Sequence, residues 1–213
     1  AGALAEEAEK AFGRLDVVVN NVGGTVPRPF EHTSPRYLEE AFHFNVSTAH
    51  ALSRAAVPVM LRSGSAGSEA ATCGSIVNIS SIYGNHGVAG SGVYSATKAA
   101  VGVLSDALRV ESQGKIKVTT VRPTGVPATG LGLTVVNYEA TVGITGQNTE
   151  RFGQKLGDWL GGNLGEGADP DDVRYWTLDP TELAEQIIAM IDTPWGVTIS
   201  DITVRATGED YVL

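Results

Sequence analysis

Gly74-Ser75-Ile76-Val77-Asn78-Ile79-Ser80-Ser81, followed by Val93-Tyr94-Ser95-Ala96-Thr97-Lys98-Ala99-Ala100-Val101-Gly102-Val103-Leu104, decides the fold. The first run is short, apolar and rich in β-branched residues, the pattern of a buried strand that ends at Ser81. The second reads as a helix, with Tyr94 and Lys98 one turn apart on one face. Working outward, strand-like runs recur at 16–19, 117–122 and 201–205, with helical segments between them, which is the signature of a parallel sheet flanked by helices. The four strands are expected to lie parallel in chain order, with the ligand-facing loops at their carboxyl ends, and that places Ser81 at the ligand end.

The helices have readable ends. Residues 1–12, rich in Ala, Leu, Glu and Lys, form a helix leading into the first strand. Ser34-Pro35 is an N-cap followed by proline at the first position, and that helix is expected to run to about residue 62. Residues 63–68 are small and polar and read as a surface loop. Asp179-Pro180-Thr181-Glu182 opens the last helix with a capping arrangement. No internal repeat is present.

The chain of 213 residues, 42% hydrophobic and 18% charged, is long enough for one well-buried core, so 1–213 is read as a single domain. A net charge of -9 without a basic stripe argues against a nucleic-acid partner. No apolar run reaches membrane-spanning length, and Glu6, Glu7 and Glu9 do not fit a signal peptide. Cys73 is the only cysteine, which removes any intrachain disulfide or cysteine metal cluster and suits a reducing cytoplasm. His32, His43 and His50 have no partner at metal-ligand spacing, so no metal site is expected. No Gly-x-Ser-x-Gly elbow supports a hydrolase.

Ser81, Tyr94 and Lys98 are the residues whose chemistry stands out. A free phenol titrates near ~10 and is a poor base at neutral pH, but a nearby cation favours the phenolate. A serine hydroxyl opposite it suits anchoring a carbonyl or alcohol oxygen during proton exchange. Alone, a Tyr and Lys four apart would more often be an exposed helical pair.

The company they keep is more specific. Asn20-Asn21-Val22-Gly23 after the first strand, Asn45 within Phe42-His43-Phe44-Asn45-Val46, Ser81 thirteen before Tyr94, and Tyr94-x-x-x-Lys98 together resemble the short-chain dehydrogenase/reductase family over nearly the whole chain, in order. The resemblance implies a Rossmann-type doubly wound parallel α/β sheet. It implies Tyr94 as acid/base and Ser81 as the anchor of the substrate oxygen. Lys98 is implied to lower the phenol pKa and hold the nicotinamide ribose, and Asn45 to hold a proton-relay water. Asn20, Asn21 and Gly23 are implied on the adenine side of an NAD or NADP crevice. Val22 replaces the family's usual Ala. Pro123-Thr124-Gly125-Val126 stands where the family has Pro-Gly, so Pro123, Val126 and Thr129 are the expected nicotinamide-side contacts of a loop shifted by one residue.

No Gly-rich phosphate-cradling turn precedes residue 20. By the resemblance the sequence is expected to be truncated at its amino end, lacking the residue that chooses NAD or NADP, with the strand at 16–19 left as an open edge. Gly84-Asn85-His86-Gly87-Val88-Ala89-Gly90-Ser91-Gly92 belongs to the substrate side instead, where His86 faces the site. Residues 127–179 are long for a loop and occupy the place of the family's substrate lid. They contain an expected helix at 148–160, a glycine-rich joint at 161–167, and Tyr138, Phe152, Trp159, Tyr175 and Trp176, suited to covering a nonpolar substrate or to packing.

The implied function is hydride transfer between NAD or NADP and a small-molecule ketone or secondary alcohol. Two other readings stand beside it: a non-catalytic subunit or binding module, and a lyase or epimerase. Small and apolar positions on the helices from Pro35 and Tyr94, such as Ala96, Ala99, Ala100, Val103 and Leu104, suit the family's two-fold helix pairing into a homodimer or homotetramer.

Overall fold

The computed structural model describes residues 1–64, 73–131, 137–163 and 165–213, so residues 65–68 of the expected surface loop and residue 164 of the joint lie outside the described residues. Four strands, β1 Val17–Asn20, β2 Gly74–Ile79, β3 Ile116–Pro123 and β4 Asp201–Val204, pair in parallel and in chain order. Seven helices accompany them among the described residues: α1 Ala3–Phe12, α2 Pro35–Phe42, α3 Thr48–Gly64, α4 Gly92–Glu111, α5 Tyr138–Thr145, α6 Thr149–Leu160 and α7 Pro180–Ile191.

Side chains alternate across a strand, and here the alternation sorts the core into two layers. Val18, Ile76, Ile116 and Val118 pack with Ala5 of α1 and Ala56, Val59 and Met60 of α3. The odd-numbered Val77, Ile79 and Val121 pack on the other face against Leu183, Ile187 and Met190 of α7. Helices on both faces of a parallel sheet make the architecture Rossmann-like. β1 lies at one edge of the described sheet, where Val17 and Val19 remain partly exposed.

Local chemistry explains where elements start. Ser34 accepts from Tyr37 N–H ahead of Pro35, and Asp179 and Glu182 form a reciprocal capping box on α7. The single helix expected to residue 62 is corrected in one respect. The helical path continues to Gly64, but His43–Ser47 form a wider π turn between α2 and α3, which buries Asn45. Such turns are rare and concentrate at functional sites. α5 was not expected from the sequence, because Tyr138–Thr145 mixes β-branched residues with glycine. The Asn137 side chain starts it by accepting from Ala140 N–H at 2.8 Å.

A buried polar chain crosses the sheet. Asn20 and Asn78 are register partners, and Asn20 Nδ2 donates to Asn78 Oδ1 at 2.7 Å and to Ser53 Oγ of α3 at 2.9 Å. Asn78 Nδ2 donates to Ser105 Oγ of α4 at 2.8 Å. Replacing Asn78 with Ala strips Asn20 and Ser105 of a buried partner. Leaving such groups unpaired costs about 1–3 kcal/mol, so urea unfolding is expected to show a loss of that size without a change of fold.

Candidate active site

A cleft of about 720 Å³ opens at the carboxyl ends of β1, β2 and β3, where an open α/β sheet binds ligands. The loop after β1 contributes Asn21 and Gly23, the turn just after β2 contributes Ser80 and Ser81, α4 contributes Tyr94 and Lys98, and the end of β3 with the loop after it contributes Pro123, Val126 and Thr129. β2 stops at Ile79, two residues short of the expected end. Ser81 is therefore not the last strand residue but the N-cap of a short turn, Ile82–Gly84, where its side chain accepts from Tyr83 N–H at 3.3 Å.

Ser81, Tyr94 and Lys98 are 6%, 5% and 3% exposed, so all three act in a low-dielectric setting. Lys98 Nζ donates to Ile79 O at 2.8 Å and lies 5.6 Å from the Tyr94 ring centroid. Ser80 Oγ donates to Lys98 O at 2.8 Å, pinning the first turns of α4 to the end of β2, and Thr97 Oγ1 donates back to Tyr94 O within the helix at 2.9 Å. Gly23 passes so close that a Cβ there would lie 2.9 Å from both Asn45 Oδ1 and Lys98 Nζ. That glycine keeps the space in front of the lysine open.

Burial sets the electrostatics of the free cleft. Burial pushes the Tyr94 phenol up to about 12, and a hydrogen bond with Ser81 pulls the other way. Burial lowers Lys98 to about 8. The cation is thus itself penalised, and in the free cleft Tyr94 is a protonated donor at neutral pH. A lysine with a depressed folded pKa binds fewer protons than its unfolded counterpart between about pH 8 and the unperturbed ~10.4, so it makes stability rise with pH across that window. Denaturant unfolding at both ends is expected to show a gain of about 1–2 kcal/mol that Lys98→Met loses. Above about pH 10 the raised Tyr94 pKa acts in the opposite sense.

The other expected residues divide. Asn45, 1% exposed, does not line the cleft: its Oδ1 accepts from Gly24 N–H at 2.6 Å, while Nδ2 donates to Gly24 O at 3.1 Å and Thr97 Oγ1 at 3.3 Å. It clamps the loop after β1 onto α4. Asn20 also stays out of the cleft, committed to the polar chain described above. His86 is exposed and outside the lining. Of the aromatic residues in 127–179, Phe152 and Trp176 face the cleft and pack edge-on at 6.0 Å. Tyr138 is exposed, and Tyr175 instead donates to Glu182 Oε2 at 2.9 Å. Sequence reasoning missed two further phenols in the lining: Tyr83, edge-to-face with Tyr94 at 5.5 Å, and Tyr211, from the segment after β4. Only the position of Tyr83, two after Ser81, offered a hint.

The residues present fit the nicotinamide and ribose half of a dinucleotide. Gly23 supplies a cradle that any side chain would fill, and Thr124 Oγ1, in the loop after β3, is buried with no hydrogen-bond partner among the described residues. No helix among those residues is long and apolar enough to cross a membrane.

Comparison with known proteins agrees with this geometry. A family profile described as short chain dehydrogenase matches residues 1–137. An uncharacterized oxidoreductase of Mycobacterium tuberculosis is 40% identical over 136 residues, covering 64% of this chain and 49% of that protein. The 7alpha-hydroxysteroid dehydrogenase of Bacteroides fragilis is 35% identical over 142 residues, 65% of this chain and 51% of its own length. The crystal structure of a short-chain dehydrogenase from Streptomyces avermitilis superposes with a TM-score of 0.65 at 30% identity, covering 95% of this chain and 64% of that one. The chain spans about half the length of the curated relatives it matches.

Proposed function

The chain belongs to the short-chain dehydrogenase family, and from that premise we propose that it transfers a hydride between NAD or NADP and a ketone or secondary alcohol, with Tyr94 exchanging the proton. The observation that carries this reading is the convergence of Ser81, Tyr94 and Lys98 on one cleft beside the open space kept by Gly23. The resemblance of the matching stretch to a hydroxysteroid dehydrogenase supports an alcohol or ketone substrate.

The nicotinamide ring, when bound, supplies or accepts the hydride. The chain's own residues do the rest. Ser81 and Tyr94 hydrogen-bond the substrate oxygen, which fixes the carbonyl carbon. In the reducing direction Tyr94 Oη gives up its proton to that oxygen. The buried phenol is reluctant to ionise, so the phenolate formed needs the Ser81 hydrogen bond and the Lys98 charge. Asn45 acts through its clamp on Gly24, which positions the loop bearing Asn21 and Gly23. Pro123, Val126 and Thr129 form the wall on the nicotinamide side, where Thr129 N–H closes a turn onto Val126 O at 3.2 Å. Residues 127–179 serve as the lid, since Phe152, Leu156 and Trp176 form its inner face.

The same proposal includes a cytoplasmic setting, supported by the single, buried Cys73. It also includes a homodimer or homotetramer built on the helix from Pro35, α2 continued by α3, and on α4. Val103, Leu104 and Val110 are 68%, 41% and 56% exposed on α4, an apolar face of the kind that pairs helices. Sedimentation at micromolar concentration is expected to give a dimer or larger, and Val103→Glu with Leu104→Glu to shift it toward monomer; a monomeric unsubstituted protein would remove the oligomer.

The activity is tested with the full-length gene product, NADH or NADPH, and a panel of ketones and secondary alcohols, following the absorbance of the reduced nicotinamide. Turnover with any of them supports the reading. Binding of a nicotinamide dinucleotide without turnover of any carbonyl or alcohol would transfer the case to a lyase or epimerase, and no binding at all to a non-catalytic module.

A further inference from the structure

Tyr211 reaches the cleft from a segment that the rest of the molecule holds firmly. Asp210, 1% exposed, pairs with Arg151 and, at 2.9 Å, with Lys155 of α6. Asn148 Nδ2 donates to Asp210 O at 3.0 Å, and Val212 N–H donates to Ile144 O of α5 at 2.9 Å. The residues on both sides of Tyr211 are therefore tied to the lid helices. Its ring packs on Phe152, with centroids 5.8 Å apart. Its hydroxyl lies over the backbone of Gly125, so close that a Cβ there would overlap it. This is a fixed group aimed at the loop after β3.

The phenol is half-buried at the wall of the cleft, where a ligand can reach it. Tyr211 Oη has no hydrogen-bond partner among the described residues, although burial, with Tyr83 beside it, pushes its pKa upward and keeps it a neutral donor and acceptor. A hydroxyl on a cleft wall with no protein partner can exchange water for a ligand oxygen. The walls around it are apolar, with Ile144, Leu156, Trp176 and Leu183 in the same cleft. An apolar pocket with a few fixed polar groups reads its ligand through those groups. Ser81 and Tyr94 mark one position for a ligand oxygen. Tyr211 marks another.

We propose that Tyr211 is a specificity-determining residue that hydrogen-bonds a second oxygen on the substrate, so that the preferred substrate is a ketone or secondary alcohol bearing a further hydroxyl or carbonyl group. The proposal rests on the reading of the cleft as a carbonyl-reducing site. It narrows the nonpolar substrate suggested by the lid aromatics: the body of the substrate meets apolar walls, but two oxygens are held.

The test compares cyclohexanone with its α-hydroxy and β-hydroxy counterparts on the full-length protein and on Tyr211→Phe, which keeps the ring against Phe152. Two readouts run in parallel: kcat/KM, and affinity by calorimetry with the dinucleotide present. The unsubstituted protein is expected to favour one hydroxyketone by about tenfold, the size of one neutral hydrogen bond. Tyr211→Phe is expected to bring that ratio close to one. An unchanged ratio in Tyr211→Phe, or no preference in either protein, overturns the proposal. An equal loss for all the ketones, together with weaker dinucleotide binding, places the phenol against the cofactor and overturns it as well. If no ketone is turned over, the oxidoreductase reading fails on its own, and the calorimetric ratio still decides the role of Tyr211.

Discussion

Tyr94→Phe is expected to lower kcat by at least about 10²-fold, and by as much as about 10⁴-fold, the range general acid/base groups supply. The substitution removes one oxygen and keeps the ring, so the edge-to-face contact with Tyr83 survives. Circular dichroism, unfolding midpoint and dinucleotide affinity should therefore stay near those of the unsubstituted protein. Ser81→Ala should cost less, because it removes one hydrogen bond to the substrate oxygen and leaves the proton donor in place. A Tyr94→Phe protein that turns over at the full rate would sink the proton-transfer role.

Much of this site was legible because it is local. Ser81, Tyr94 and Lys98 belong to one strand-turn-helix unit, and a β-branched run followed by helical spacing is a pattern that sequence carries directly. The strand order followed for the same reason. What escaped depends on distant contacts. The π turn around Asn45 leaves no mark in composition, and Asn45 meets Gly24 and Thr97 only once the loop after β1 has folded onto α4. Tyr211 enters from beyond the last strand, at a sequence separation no spacing rule spans. The raised pKa of the Tyr94 phenol in the free cleft comes from burial, which the sequence does not carry.

Lys98→Met should remove activity by a comparable factor and also weaken dinucleotide binding, which Tyr94→Phe should not do. The amine stands beside both the phenol and the space in front of Gly23, so one cation serves two neighbours. Methionine keeps most of the buried stem, and the Ile79 carbonyl is the protein partner it abandons. Kinetics alone would not separate the two roles. Dinucleotide titration followed by fluorescence does, and unchanged affinity in Lys98→Met would confine the lysine to the phenol.

The amide pair Asn20–Asn78 has a consequence for how the chain finds its fold. A strand that slips by one residue turns every side chain to the opposite face. Sliding β1 against β2 in that way would carry Asn20 to the opposite face and leave Asn78 and Ser53 without their buried partner. The apolar valines of β1 discriminate poorly between the two alignments, since Val17, Val18 and Val19 are interchangeable in kind. The asparagines do not allow the exchange. They work as a proofreading device for strand assembly, penalising the misaligned sheet more than they strengthen the correct one.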